Sequence, residues 1–150
     1  MAETNTLPTE AEVSLIRADL KELLPDYRTL ADEMAEGLLE VKRVLEDERK
    51  VVWSRVYNTA DDAYFDNSDS TGRNKDRIQN AISHMTAAII FQGYSVMNNP
   101  EEEQWASLAQ YHRDMAKSRL LDSTLDIDSD DSGAIGEGEE GQTGQVFMVK

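Results

Sequence analysis

From Tyr27 to Val56 apolar side chains recur every three or four positions, at Tyr27, Leu30, Met34, Leu38, Val41, Leu45, Val52 and Val56. An α-helix turns once per about 3.6 residues, so this spacing gathers the set on one side of a helix, whereas a strand would scatter it over both faces of a sheet. The stripe is close to a heptad seam and predicts one long helix of about thirty residues starting near Asp26. Gly37 and the charged run Glu46–Lys50 interrupt the stripe without breaking it, because the charged residues favour helix. A helix with one apolar stripe must bury it against others, so the chain is committed to helix-on-helix packing.

Three further stretches supply the partners. Thr9 and Glu12 have the spacing of a capping box, and Val13, Ile16, Leu20, Leu23 and Leu24 follow at helical intervals until Pro25 stops them. A third helix is expected from near Asp76, with Ile78, Ala81, Ile82, Met85, Ala88 and Ile89 on one face. Ile90, Phe91, Tyr94 and Val96 widen that face, which should make this helix the most buried. Asn98-Asn99-Pro100 restarts the chain, with Asn99 as N-cap, Pro100 at the first helical position and Glu101–Glu103 at the positive end of the helix dipole. Trp105, Leu108, Ala109, His112, Met115 and Ala116 then line a fourth helix to about Leu121. The expected fold class is mainly α: a bundle of about four helices, one of them long, with an extended C-terminal arm.

Residues 57–76 lose the periodicity and collect Asn, Asp, Ser, Thr and Gly, which is loop chemistry, with Tyr64 and Phe65 as its anchors. Beyond Leu125 the composition turns to Asp, Ser, Gly and Glu, too poor in apolar surface to offset chain entropy. The expected division is a helical domain over residues 1–122 and an acidic, Gly-rich arm over 123–150. Val146, Phe147, Met148 and Val149 give that arm an apolar tip suited to docking on a partner.

The 30 Asp and Glu residues against 15 Lys and Arg leave a net charge of −15, which disfavours gripping a phosphate backbone and argues against sequence-specific nucleic-acid binding. With no cysteine, thiol nucleophiles, disulfides and Cys-based zinc sites are excluded. No window is apolar enough for a membrane span, and the first residues lack the basic start and apolar run of a secretory signal. His84 and His112 fall on core-facing positions, outside any His-Glu-x-x-His pair, and the nucleophile-elbow, P-loop and dinucleotide-binding patterns do not occur. The sequence therefore points away from an enzyme. Trp53, Trp105, Tyr57, Tyr94 and Tyr111 read as packing residues, since base stacking needs accompanying cations. Arg43, Arg49, Lys50 and Arg55, interleaved with acids, read as a solvated helix face laced by ion pairs.

One motif has a metal mechanism. In the register beginning at Asp128, the stretch DSDDSGAIGEGE places oxygen donors where an EF-hand loop needs them: Asp128, Asp130, Ser132, the Ala134 carbonyl, Gly136 as a water position, and Glu139. Gly133 falls at the sharp turn and Ile135 at the apolar position. Ca²⁺ is the cofactor such a loop would take. The same residues also fit a solvated acidic hinge, and GQTGQVFMVK offers no exit helix to complete a helix-loop-helix.

The order of an Ala-rich apolar helix (IQNAISHMTAAIIFQGYSVM), a proline turn with acids (NNPEEEQW), an amphipathic helix (ASLAQYHRDMAKSRLL) and an aspartate-glycine tail (LDIDSDDSGAIGEGE) resembles the head-to-tail adaptor, or head-completion, proteins of tailed viruses. The resemblance covers residues 78–139 and is one of layout rather than of a single invariant motif. It implies a structural virion protein made in the host cytoplasm and placed at the head-tail junction. Its partners would be the portal protein, neighbouring adaptor subunits in a ring, twelvefold by that resemblance, and tail proteins, with DNA passing through the channel. The alternative is a calcium-binding helical interaction module regulated through residues 128–139.

Overall fold

The computed structural model spans the chain and describes residues 7–58, 63–64, 73–98, 103–122 and 124–129. Among the described residues four α-helices, α1 (Glu10–Ser14), α2 (Leu30–Asp47), α3 (Arg73–Asn98) and α4 (Glu103–Leu121), form a mainly helical bundle. Two-residue strands β1 (Tyr57–Asn58) and β2 (Ala63–Tyr64) pair antiparallel, Tyr57 opposite Tyr64. α3 is the central element, packing most extensively on α4 and then on α2.

The capping signal before α1 is realised in full: the Thr9 hydroxyl accepts from the Glu12 N–H at 3.1 Å, and the Glu12 carboxylate accepts from the Thr9 N–H at 2.7 Å. The helix nevertheless ends at Ser14 rather than reaching Leu24, and a 3-10 turn follows at Leu20–Leu23. Tertiary contacts bend the chain here. The Arg17 guanidinium lies 5.5 and 5.3 Å from the ring centres of Phe91 and Trp105 and is held by Asp19 at 2.7 Å. Val13 and Leu20 are thereby buried in one cluster with Leu30, Met34, Ala87, Ile90 and Phe91.

The stripe on α2 is buried as its spacing requires, at Leu30, Met34, Leu38, Val41 and Leu45. Its length is corrected: α2 stops at Asp47, and the longest helix is α3, with 26 residues. The Glu48 and Arg49 N–H groups both return to the Val44 carbonyl, and the Val51 N–H reaches back to Leu45 at 2.9 Å. Lys50 takes a left-handed conformation with φ 63°, the usual device for ending a helix, most often filled by glycine. The cause lies across the bundle. The Arg49 side chain turns inward, fully buried, and donates to the Leu120 carbonyl at 2.7 Å, where the last carbonyls of α4 lack helical partners. Val52 and Val56 match the helical period only by accident, since a 3-10 turn at Trp53–Arg55 leaves Val52 exposed and buries Val56. Arg43 does sit on a solvated face, paired with Glu40 and Asp47; Arg49 does not.

α2 and α3 pack tightly at Gly37, where a Cβ would stand 2.6 Å from Thr86 Oγ1 and 3.3 Å from the Ile82 carbonyl. Thr86 is fixed by its own bond to that carbonyl at 2.7 Å. Below this waist lies a second cluster built from Val41, Val44, Leu45, Ile78, Ile82 and Met85. Trp53 stacks on Tyr57 with 5.3 Å between ring centres, and Tyr64 meets Tyr57 edge-on at 5.1 Å, so Tyr64 does anchor the segment after β1. Phe65 and the helix restart at Asn99 and Pro100 lie outside the described residues.

Leu125 and Ile127 are buried in this second cluster, and Asp126 and Asp128 are buried beside them, so this stretch at the start of the expected arm packs on the helices. The reason is a polar staple that hydropathy does not register. Asn74, fully buried in the first turn of α3, accepts from the Asp126 N–H at 2.8 Å and donates to the Asp126 carbonyl at 2.8 Å and the Val56 carbonyl at 3.1 Å. One side-chain amide thus satisfies the backbone of an irregular segment that would otherwise carry unpaired buried groups.

Candidate functional site

The Arg28 side chain, just ahead of α2, reaches over the first turns of that helix. Thr29 is the N-cap, its hydroxyl accepting from the Asp32 N–H at 3.1 Å while its own N–H donates to Asp32 Oδ2 at 3.0 Å; the Thr29 N–H, and after it the Thr29 hydroxyl, hold the Asp32 carboxyl below its ordinary pKa. The cap orients α2 so that Glu33 and Glu36 face back toward Arg28. Arg28 donates through Nε to Glu33 at 2.7 Å and through a terminal nitrogen to Glu36 at 2.6 Å. Glu33 is buried, so this pairing offsets the cost of holding its charge away from water.

Beside that network a cleft of about 420 Å³ opens between the Leu20–Leu23 turn, the start of α2 and the second half of α3. Leu23, Leu24, Pro25, Ile89, Ile90 and Tyr94 give it apolar walls; Glu22, Glu33 and Glu36 give it an acidic edge against the single cation Arg28. Gly93 borders open space within it: a Cβ there would meet nothing within 4 Å. A shallower hollow along Leu39, Glu40 and Arg43 continues it, sharing Glu36 and Ile89. An apolar pocket of this size with a few fixed polar groups is suited to receiving side chains or a small apolar ligand.

The two histidines meet between α3 and α4. His84 Nδ1 and His112 Nδ1 are 3.0 Å apart, with ring planes 23° from parallel, so one ring donates and the other accepts, in opposite tautomers. Burial, with His112 and Arg119 adding to it, lowers His84 to a pKa of about 4. Burial and Arg17 lower His112 in the same direction. Both rings are neutral at pH 7, joining two helices as their core-facing positions led one to expect.

Of the proposed calcium ligands, only Asp128 lies within the described residues. It is buried, its N–H donating to the Arg55 carbonyl at 2.8 Å while Arg55 donates to the carbonyls of Asp128 at 2.9 Å and Ser129 at 3.1 Å. Asp130, Ser132, Ala134, Gly136 and Glu139, and the docking residues Val146, Phe147, Met148 and Val149, lie outside them. Among the described residues no three His, Cys, Asp or Glu side chains converge to hold a metal ion, and no helix is long and apolar enough to cross a membrane. Sequence reasoning missed the cleft, although its signal was present: Gly93 between Ile90 and Tyr94, facing a Leu-Leu-Pro turn.

Fold and site together define an acidic, mainly α-helical bundle with an apolar cleft. Comparison of the chain with protein-family models, curated proteins and solved structures gave no match.

Proposed function

We propose that this chain is a structural subunit that assembles with copies of itself into a ring at the head-to-tail junction of a tailed virus, between portal and tail. The observation that carries the reading is exposed apolar surface in two separate places. Leu15, 86% exposed, flanks a groove over the first half of α3, while Tyr27 and Leu39, 74% and 64% exposed, flank the cleft over its second half. A ring grows head to tail and needs two different patches on each subunit, whereas one self-complementary patch closes as a two-fold dimer. The net charge of −15 supports the same reading, because like charge on a channel wall keeps a passing duplex from adhering.

Leu15→Glu and Leu39→Glu test it, since both side chains are exposed and neither change disturbs the core. Each variant should fold normally and fail to enter particles; wild-type incorporation of both overturns the reading. Deleting residues 140–150 should likewise abolish incorporation through loss of the apolar tip. Micromolar Ca²⁺ binding coupled to a helical change would instead put a calcium-regulated module in its place.

A further inference from the structure

We propose that the cleft beside Gly93 is the docking site for residues Val146–Val149 of the same chain. The cleft and this segment share one chemistry. Its walls are aliphatic and aromatic and its edge is acidic at Glu22 and Glu36, while Val146–Val149 is the only run of four apolar residues after Ser129 and leads into Lys150, the only cation after Arg119.

Reach is satisfied. Asp126 is bonded to Asn74 at the start of α3, and Gly93 lies 19 residues further along that helix, about 29 Å away at helical rise. The 17 residues from Ser129 to Val146 span up to about 58 Å when extended, so the segment arrives with slack. A tether of this length holds the tip at an effective concentration near millimolar, and a contact too weak to form between separate molecules is populated within one chain. The docking belongs to the isolated chain and stands independently of the ring reading, under which assembly would free the cleft and the tip for neighbouring subunits.

The absence of cysteine makes disulfide trapping in the full-length chain unambiguous. A Glu22→Cys, Phe147→Cys pair places one thiol on the cleft edge and one on the tip. Ser107→Cys, Phe147→Cys is the control, since Ser107 is exposed on α4 near Trp105, at the same end of the bundle but outside the cleft. Under mild oxidation the cleft pair should close within one chain roughly tenfold faster than the control. Gly93→Leu, which fills open space and raises helix propensity, should bring the cleft pair down to the control rate. Met148→Asp should do the same without touching the cleft at all. Equal rates for the two pairs, a rate unmoved by both blocking changes, or a disulfide joining two chains in place of the internal one would each overturn the proposal.

Discussion

Replacing Asn74 by Asp keeps the side chain's size and its acceptor oxygen but removes the amide donor. In the native fold that donor serves two buried carbonyls, Asp126 at 2.8 Å and Val56 at 3.1 Å. Losing one partner of a buried hydrogen bond costs about 1–3 kcal/mol, so two orphaned carbonyls cost about 2–6 kcal/mol. A carboxylate pressed against both adds repulsion and desolvation. The new carboxyl would therefore titrate above its ordinary value, and the sign of the pH dependence follows. The folded state binds that proton more tightly than the unfolded state, so acidification should return part of the lost stability, because a protonated carboxyl can donate one bond. Urea unfolding followed by helical circular dichroism at pH 7 and pH 5 measures the penalty relative to wild type. Amide exchange at Asp126 reports whether residues 124–129 detach before the helices unfold. Two results would refute the reasoning: a penalty below about 1 kcal/mol at pH 7 with Asp126 still protected, or a penalty that grows on acidification.

Gly37→Ala should destabilise the fold by about 1–3 kcal/mol despite the helix-propensity gain of about 1 kcal/mol, because the new methyl meets Thr86 and the α3 backbone at the waist; thermal unfolding shows the sign directly. Lys50→Gly should raise stability by about 1 kcal/mol, since glycine adopts the left-handed conformation without penalty, and an unchanged or lowered urea midpoint would count against the helix-end geometry. The histidine pair makes stability pH-dependent. The unfolded rings take up protons below about pH 6.5, whereas His84 resists down to about 4. The contribution is complete above pH 6.5 and is lost as pH falls toward 4, about 2 kcal/mol after allowing for the part of the ring that water reaches. His84→Leu with His112→Leu should flatten that slope, and a slope identical to wild type would assign it to other groups.

The fold class was legible because helical burial leaves a period in the sequence, and the stripe from Leu30 to Leu45 is buried as that period requires. The end of α2 was not legible. Glu46–Lys50 favours helix locally, and only the pull of a distant carbonyl at Leu120 on Arg49 stops it; no local pattern announces a contact spanning 71 positions. The same holds for residues 124–129, whose aspartates read as solvated until Asn74 supplies their backbone with partners. A signal was present for α2's cap, since Thr29 and Asp32 have capping-box spacing, but the apolar Tyr27 one turn earlier masks it. The cleft was missed for a different reason: its mark in the sequence is a single glycine at position 93, and hydropathy patterns record side chains rather than the open space beside a glycine.

The Arg55 grip has a mechanical consequence. A pull on the chain beyond Ser129 loads the two Arg55 bonds to the Asp128 and Ser129 carbonyls first, and then the Asn74 bonds to Asp126, before any tension reaches α4. Force entering from the C-terminal side is thus taken up by side chains rooted in α3 and in the turn after α2, so the load is shared across the bundle instead of peeling its last helix away from the end.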